Sequence, residues 1–161
     1  MEDAPWYDDV VFPALLRHAR TTYGKAMRVA LDEAGFDDIP GNGLYIIGGL
    51  ALENRDIPLR RLVRELGITK QGAGQLVDAL VMRGYLTRAV DENDRRQLIL
   101  TLTERGRAAA TVQSEVRGRI DGQLLERVGE ADVKAARRTL AALIDMRREE
   151  ATVQLEPVAG K

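Results

Sequence analysis

The chain has 161 residues, a formal net charge of −1, and a composition that is 45% hydrophobic and 30% charged, as in a globular domain rather than a disordered one. It contains no cysteine and one histidine, His18, which excludes disulfides and thiolate chemistry and leaves little from which to build a catalytic triad or a zinc site. There is no phosphate-binding glycine loop, membrane-spanning apolar run or basic leader, so we expect a cytoplasmic protein that is not an enzyme and holds no cofactor or metal.

The N-terminal third predicts two helices. Apolar residues recur at helical spacing from about 7 to 34. Pro13 near the start allows the regular helix to begin there instead of at Tyr7, and Gly35 can end it. The segment 44–52 is almost wholly apolar and could be a buried strand or a short buried helix. Its Gly48-Gly49 pair suits close helix packing, and the neighbouring segments are helical. We therefore predict a helix.

Two short helices joined by a tight turn are predicted next. Apolar residues between Leu59 and Leu66 follow the i, i+3, i+4, i+7 pattern, and Pro58 fits the first turn of that helix. Gly67 ends it. Thr69 is a good N-cap for the second helix, whose apolar stripe runs from 76 to 81. This order predicts a helix-turn-helix.

After Gly84 the apolar period changes from helical to alternating. Residues 86–90 and 98–102 alternate as strands do, and the polar segment Asp91–Gln97 lies between them. We predict a β-hairpin with a charged tip. A hairpin placed directly after a helix-turn-helix is the wing of a winged helix-turn-helix.

Two more helices complete the predicted chain. Thr103 caps a helix over about 104–128, Gly129 breaks it, and a last helix covers about 131–148. Both are rich in alanine and thinly apolar. Each therefore needs the first helix or a second chain to bury its apolar face.

Several short motifs resemble the MarR family of bacterial transcriptional regulators. They are Leu66–Gln71, Leu76–Leu80, Arg83–Leu86, the wing segment Asp91–Arg96, and Leu102–Gly106. The resemblance implies a mainly α fold with a small β-hairpin wing, and a homodimer that binds a palindromic operator on double-stranded DNA. It favours a repressor that is released by a small aromatic or lipophilic effector.

The resemblance also implies a division of labour along the chain. Residues 1–53 would supply N-terminal helices for dimerisation and support, and 54–103 would form the winged helix-turn-helix that binds DNA. Residues 104–161 would supply the C-terminal dimerisation helices, all within one compact unit.

The charges of the middle segment fit a nucleic-acid partner. Residues 54–107 carry 11 Lys and Arg against 7 Asp and Glu, a net +4 in a nearly neutral chain. The candidate DNA-binding residues lie on the second helix of the motif and on the wing: Thr69, Lys70, Gln71, Gln75, Arg88, Asp94, Arg95 and Arg96.

Each of these residue types suits a particular DNA contact. Glutamine can bind adenine with two hydrogen bonds, lysine can reach guanine or phosphate, and a helix N-terminus favours phosphate. At the wing we expect Arg96 in the minor groove, where narrow A·T tracts concentrate negative potential. Asp94 would hold the Arg96 guanidinium by a charge-assisted hydrogen bond. Arg88 and Arg95 would contact phosphates.

An effector site is predicted where the first helix, the 44–52 segment and the start of the long helix meet. Arg17 could hold an anionic ligand, and His18 and Tyr45 could be polar groups in an otherwise apolar wall. The alternative for His18 and Tyr45 is plain core or interface packing. Since the chain lacks cysteine, it cannot sense oxidants by thiol chemistry.

Three other functions are weighed against a ligand-responsive regulator. A winged helix that only mediates protein contacts is disfavoured by Gln71 and by the Asp94 and Arg96 spacing of the wing. An enzyme is disfavoured by the composition. A regulator that binds DNA without any effector stays open.

Overall fold

The computed structural model describes residues 5–53, 57–58, 61, 64, 67, 69–92, 94–96 and 98–153. Its elements in chain order are α1 (Phe12–Glu33), α2 (Gly43–Glu53), β1 (Ile57–Pro58), α3 (Lys70–Met82), β2 (Leu86–Val90), β3 (Leu98–Leu102) and α4 (Glu104–Val153). The predicted fold class, mainly helical with a β-hairpin wing, is confirmed.

The first two helices form as their sequences predict. α1 has Pro13 in its first turn, where no backbone donor is needed, and the chain leaves it through Gly35 at φ 82°. α2 covers the apolar segment 44–52, so the choice of helix over strand is confirmed. Both Ile46 and Ile47 are fully buried, as expected for a helix that is apolar on every side.

The sheet has three strands instead of the predicted two. β2 and β3 form the predicted antiparallel hairpin, and β1 pairs with the other edge of β3, with Pro58 opposite Ile99. The prediction that Pro58 begins a helix is wrong. It lies in an edge strand, where a missing N–H is tolerated. The helix predicted from Leu59 to Leu66 falls outside the described residues except for Arg61 and Arg64, which are helical.

α3 packs one face into the core of the winged helix. Val77 and Leu80 of the predicted stripe are buried, as is Ala73 one turn earlier. The other large side chains that are fully buried are Leu31, Ile46, Ile47, Tyr85, Leu86, Leu100 and Gln113. This core fixes which face of α3 is left in solvent.

The chain divides into two compact units, Met1–Gly118 and Arg119–Lys161. The first unit takes in residues 104–118 of α4, so its boundary lies beyond the predicted one at 104. The division of labour among the three predicted segments stays a prediction.

The second unit is the remainder of α4. Gly129 has non-helical angles (φ 80°, ψ 167°), so two helical stretches meet there, as predicted. Large apolar side chains are exposed along both stretches: Leu124, Leu125, Val128, Leu140, Leu143, Ile144 and Met146. None of the helices in the described ranges is long and apolar enough to cross a membrane.

Candidate nucleic-acid interface

The first turn of α3 presents capped backbone and exposed polar side chains. Thr69 ends the preceding loop, and its Oγ1 accepts a hydrogen bond from the N–H of Gly72 at 3.0 Å. The predicted N-cap is therefore confirmed. Lys70 and Gln71 are exposed in the first turn, and Gln75 is exposed one turn later. α3 thus presents hydrogen-bonding and cationic groups on the side that its apolar stripe leaves in solvent.

An ion pair joins this helix to the wing. Arg88 on β2 donates a hydrogen bond from Nη1 to Oδ1 of Asp78 on α3. Both side chains are about half exposed, at 48% and 56%. The predicted contact of Arg88 with phosphate stays a prediction, and no sequence pattern indicates Asp78 as its partner. A guanidinium has five donors, so this pair leaves others available.

The wing tip is shaped by Asp94. Its Oδ1 accepts a hydrogen bond from the backbone N–H of Arg96 at 3.1 Å, two residues on. This pattern stabilises a tight turn. The prediction placed Asp94 on the Arg96 guanidinium, and that contact stays a prediction because the described bond goes to the backbone. Arg95 and Arg96 are exposed beside the half-buried Asp94.

A second polar cluster, which sequence reasoning missed, lies at the base of the wing. We call Asp38, Tyr85 and Arg105 the Asp38 cluster. The Tyr85 hydroxyl donates to Asp38 Oδ1, and Arg105 Nη2 donates to the same oxygen at 3.1 Å. Arg105 Nη2 also donates to the Tyr85 hydroxyl at 3.0 Å, which closes a ring of three contacts.

Electrostatics in the Asp38 cluster favour the charged carboxylate and the neutral phenol. The hydrogen bond from Tyr85 and the neighbouring Arg105 together lower the pKa of Asp38, against the opposing effect of burial. Burial, together with the hydrogen bond to Asp38, raises the pKa of Tyr85 to about 12. The Arg105 guanidinium also lies over the Tyr85 ring, 4.7 Å from its centroid.

Comparison with known proteins agrees with this geometry. Residues 38–97, which include α3 and the wing tip, match the MarR family model. The HTH-type transcriptional regulator YwhA of Bacillus subtilis is 27% identical over 129 residues, 80% of this chain and 92% of that protein. The transcriptional repressor MprA of Escherichia coli is 30% identical over 105 residues, 65% of this chain and 58% of MprA.

Solved structures share the fold over most of the chain. A MarR transcriptional regulator from Methanosarcina mazei matches with a TM-score of 0.70 at 18% identity, covering 85% of this chain and 96% of that one. Streptococcus pneumoniae FabT, solved in complex with DNA, matches with a TM-score of 0.69 at 18% identity, covering 86% and 99%. Residues 38–97 therefore match the MarR family, and the chain shares the fold of solved MarR regulators. Both its sequence and its fold are similar to those of winged-helix transcriptional regulators.

The three predicted effector residues lie on α1 and α2. Arg17 and His18 are exposed on α1. Tyr45 is half-buried against α1, with the Arg20 guanidinium 4.4 Å from its ring centroid. The hydroxyl of Tyr45 would lie 3.1 Å from a Cβ at Gly24, so this tyrosine packs closely on the helix.

A cavity of about 440 Å³ opens nearby, between the end of α2, the end of β3 and the start of α4. Two of its three elements are those predicted for the effector site, and β3 stands in place of α1. Its wall combines apolar side chains such as Leu50 and Leu102 with the hydroxyl of Ser114 and the guanidinium groups of Arg107 and Arg117. Arg17, His18 and Tyr45 do not line it.

A buried glutamine lies next to that wall. Gln113 is fully buried on α4, and neither its Oε1 nor its Nε2 has a hydrogen-bond partner within the described part of the chain. A Cβ at Gly48 of α2 would lie 2.7 Å from Gln113 Oε1 and 3.2 Å from Arg117 Nη1. Gly48 therefore makes room for both side chains. The close helix packing predicted from the Gly48-Gly49 pair is therefore found at Gly48.

Proposed function

We propose that this chain is a repressor that binds a palindromic operator as a homodimer. The carrying observation is the arrangement of α3 and the wing, which present two separate sets of exposed polar and cationic groups on one winged helix. The DNA complex of FabT and the repressor activity of MprA, both similar to this chain, support the same reading.

α3 enters the major groove with its capped N-terminus toward the DNA backbone. Lys70 and Gln71 lie in its first turn, where the helix dipole and the free N–H groups favour phosphate. Gln75 projects one turn further and can read an adenine edge. Thr69 holds the start of the helix in this orientation by its cap.

The wing reaches the neighbouring minor groove with Arg96. Asp94 accepts a hydrogen bond from the Arg96 backbone N–H, which stabilises the turn that carries Arg96. Arg95 contacts phosphate from the same turn. Arg88 on β2, paired with Asp78 of α3, links the two contact regions and keeps other guanidinium donors for phosphate.

The exposed apolar side chains of the terminal segments are the basis for the homodimer. Leu140, Leu143 and Ile144 recur at helical spacing on the last stretch of α4 and are 38–46% exposed in the single chain. Exposed apolar surface of this extent marks an interaction site. A two-fold dimer buries it and places the half-sites about one helical turn of DNA apart.

The dimer is tested by light scattering. A mass near twice the chain's 17.8 kDa is expected at micromolar concentration, and Leu143→Glu should lower it. Met82→Glu is the matched control, because Met82 is 86% exposed outside these stretches and its replacement should leave the mass unchanged. A folded monomer that binds its operator with full affinity contradicts the dimer.

The DNA interface is tested with fragments selected by the purified protein. Lys70→Ala should weaken operator binding and reduce the slope of log affinity against log salt by about 1, because one phosphate contact is lost. Lys25→Ala removes the same side chain from an exposed position on α1 and should change neither quantity. If Lys70→Ala and Lys25→Ala bind the operator with equal affinity, Lys70 and the start of α3 are not part of the DNA interface.

A small-molecule effector is the second part of the proposal, and the cavity beside Gln113 supports it. Two guanidinium groups in a partly apolar wall suit a compact ligand with an anionic head group. The unpartnered Gln113 amide offers a donor and an acceptor close by. The effector releases the operator if it binds the arrangement that cannot bind DNA more tightly. A tenfold loss needs about 1.4 kcal/mol of coupling.

Benzoate and phenol are suitable first probes of this effector site. Operator affinity is measured with and without each compound in wild type, Arg117→Gln and Tyr45→Phe. If the cavity is the site, benzoate weakens operator binding in wild type and Tyr45→Phe but not in Arg117→Gln. The reverse pattern supports the site predicted at Tyr45. If compounds bind without changing operator affinity, the regulator acts without an effector.

A further inference from the structure

The Asp38 cluster joins three segments that are distant in sequence. Asp38 comes from the loop between α1 and α2, Tyr85 directly precedes β2, and Arg105 lies in the first turn of α4. One carboxylate oxygen accepts from both partners. The backbone carbonyl of Asp38 also accepts a hydrogen bond from the side chain of Arg83, which follows the last turn of α3. Asp38 therefore contacts the end of α3, the start of the wing and the start of the long helix.

The backbone around Tyr85 is fixed as firmly as its side chain. The N–H of Thr103 donates to the carbonyl of Tyr85 at 3.1 Å, and the Thr103 hydroxyl donates to the carbonyl of Gly84 at 2.6 Å. A Cβ at Gly106 would lie 2.1 Å from the Tyr85 carbonyl oxygen, so only glycine allows this contact. The first turn of α4 and the base of the wing are thus in direct backbone contact, and the side chains of the cluster close around it.

We propose that Asp38 is a positioning residue for DNA binding: through Tyr85, Arg105 and Arg83 it fixes α3 and the wing against the first turn of the long helix. The inference rests on the proposed function, because it assumes that α3 and the wing contact DNA together. Two contact regions that must fit two grooves at once lose affinity when the angle between them is loose.

The buried hydroxyl carries this role more than the ion pair does. Asp38 and Arg105 are 41% and 43% exposed, so water screens their attraction. Tyr85 is fully buried, and its hydroxyl depends on Asp38 as its acceptor. Asn at position 38 keeps an acceptor oxygen but loses the charge, which weakens the bonds from both donors.

Charge alone predicts the opposite effect on DNA binding, which makes the proposal testable. Removing an acidic group from a DNA-binding lobe weakens its repulsion of phosphates, so Asp38→Asn should tighten or preserve operator binding on that ground. If Asp38 is a positioning residue, the same substitution loosens it. Asp37→Asn is the matched control, because Asp37 is the exposed neighbour on the same loop and loses the same charge.

The experiment measures operator affinity by fluorescence anisotropy over a range of salt concentrations. Asp38→Asn should weaken binding by about 3- to 30-fold, the range for residues that act without touching the ligand. Its salt slope should equal that of wild type, because no phosphate contact is lost. Asp37→Asn should bind as tightly as wild type or tighter. Tyr85→Phe should weaken binding too, and the double variant Asp38→Asn/Tyr85→Phe should lose less than the two single effects combined.

Two outcomes separate this inference from the proposed function. If wild type binds no selected DNA, the proposed function fails. If Arg96→Ala weakens binding while Asp38→Asn behaves like Asp37→Asn, the interface stands and the positioning role is overturned. Should Asp38→Asn fail to fold, Tyr85→Phe decides, since it keeps the ring under Arg105. An affinity equal to wild type for Tyr85→Phe would then overturn the proposal.

Discussion

The exposed surface of α3 and the wing tip differs from the Asp38 cluster in how its side chains are held. On that surface Lys70, Gln71 and Arg96 extend into solvent, and the hydrogen bonds described there organise the backbone beneath them. In the Asp38 cluster the side chains themselves are bound to one another around the buried Tyr85. The comparison suggests that one set of residues contacts DNA and another set positions α3 and the wing. A substitution can therefore change the DNA contacts without changing the positioning, or the reverse.

The largest effect on the free energy of unfolding is expected at Gly106, which lies against the backbone of Tyr85 in the Asp38 cluster. Gly106→Ala places a Cβ against the Tyr85 carbonyl and should lower the free energy of unfolding by about 1–3 kcal/mol, as overpacking does. Gly118→Ala, on the same helix with nothing within 4 Å of its Cβ position, should raise it by about 0.5–1 kcal/mol. Urea unfolding of both variants checks the contrast. A neutral Gly106→Ala would mean that the contact between α4 and the wing is loose.

The largest effect on DNA affinity is expected at the wing tip. Arg96→Ala should weaken operator binding by about 1–3 kcal/mol if its side chain lies in the minor groove. Asp94→Ala should lose part of the same energy because it removes the acceptor that holds the turn. The double variant should lose less than the sum, since both act through one contact. If anisotropy shows that the two single losses of operator affinity simply add in the double variant, Asp94 and Arg96 act independently.

A smaller effect, on the free energy of unfolding, is expected at the start of α3. Thr69→Ala removes the acceptor of the Gly72 N–H and should lower the free energy of unfolding by about 1 kcal/mol. Thr69→Ser keeps the hydroxyl and should behave as wild type. Thermal unfolding distinguishes the two. Should both variants lose the same amount, the cap would not be the cause.

The pH dependence of stability should distinguish the cluster from the exposed surface in an alkaline window. Tyr85 has a folded pKa raised from 10.0 to about 12, so the folded state holds this proton more tightly than the unfolded state. Its contribution is complete below the unfolded pKa and is lost as the pH rises from 10.0 to about 12. Tyr85→Phe should lack this loss when urea unfolding is followed across the window. Parallel curves for wild type and Tyr85→Phe would contradict the raised pKa that burial and the bond to Asp38 give Tyr85.

The smallest effect is expected for the ion pair that links the two contact regions. Asp78 and Arg88 are both about half exposed, so Asp78→Asn should lower the free energy of unfolding by only about 0.2–1 kcal/mol. Freed from Asp78, Arg88 would gain a donor for phosphate, so operator affinity should stay equal or rise. A large loss of affinity would instead assign Asp78 a base contact.

Local sequence patterns predicted most of the elements. The extent of α1, the helix over 44–52, the hairpin and the break at Gly129 each follow from an apolar period or a turn residue. The strand β1 could not be found this way, because two residues have no period. Its pairing with β3 is a tertiary contact.

The residues of the candidate site differ in the same way, since some have partners close in sequence and others have distant ones. Thr69 has a local signature because its partner is three residues away, whereas Asp38 is 47 residues from Tyr85 and 67 from Arg105. In sequence Asp38 is one acidic residue in a polar loop, and only the tertiary packing of that loop against the base of the wing and the first turn of α4 gives it partners. The cavity beside Arg117 could not be predicted from the sequence for the same reason, since three separate elements form its wall.

The ratio of specific to non-specific DNA affinity tests the central claim most directly. The protein is titrated with the palindrome recovered from its own selection and with a scrambled duplex of equal length and composition at the same salt concentration. Binding to the palindrome should be at least about 10³-fold tighter than binding to the scrambled duplex, as for specific regulators. Equal affinity for the two duplexes would contradict it, because charge alone would then explain the binding.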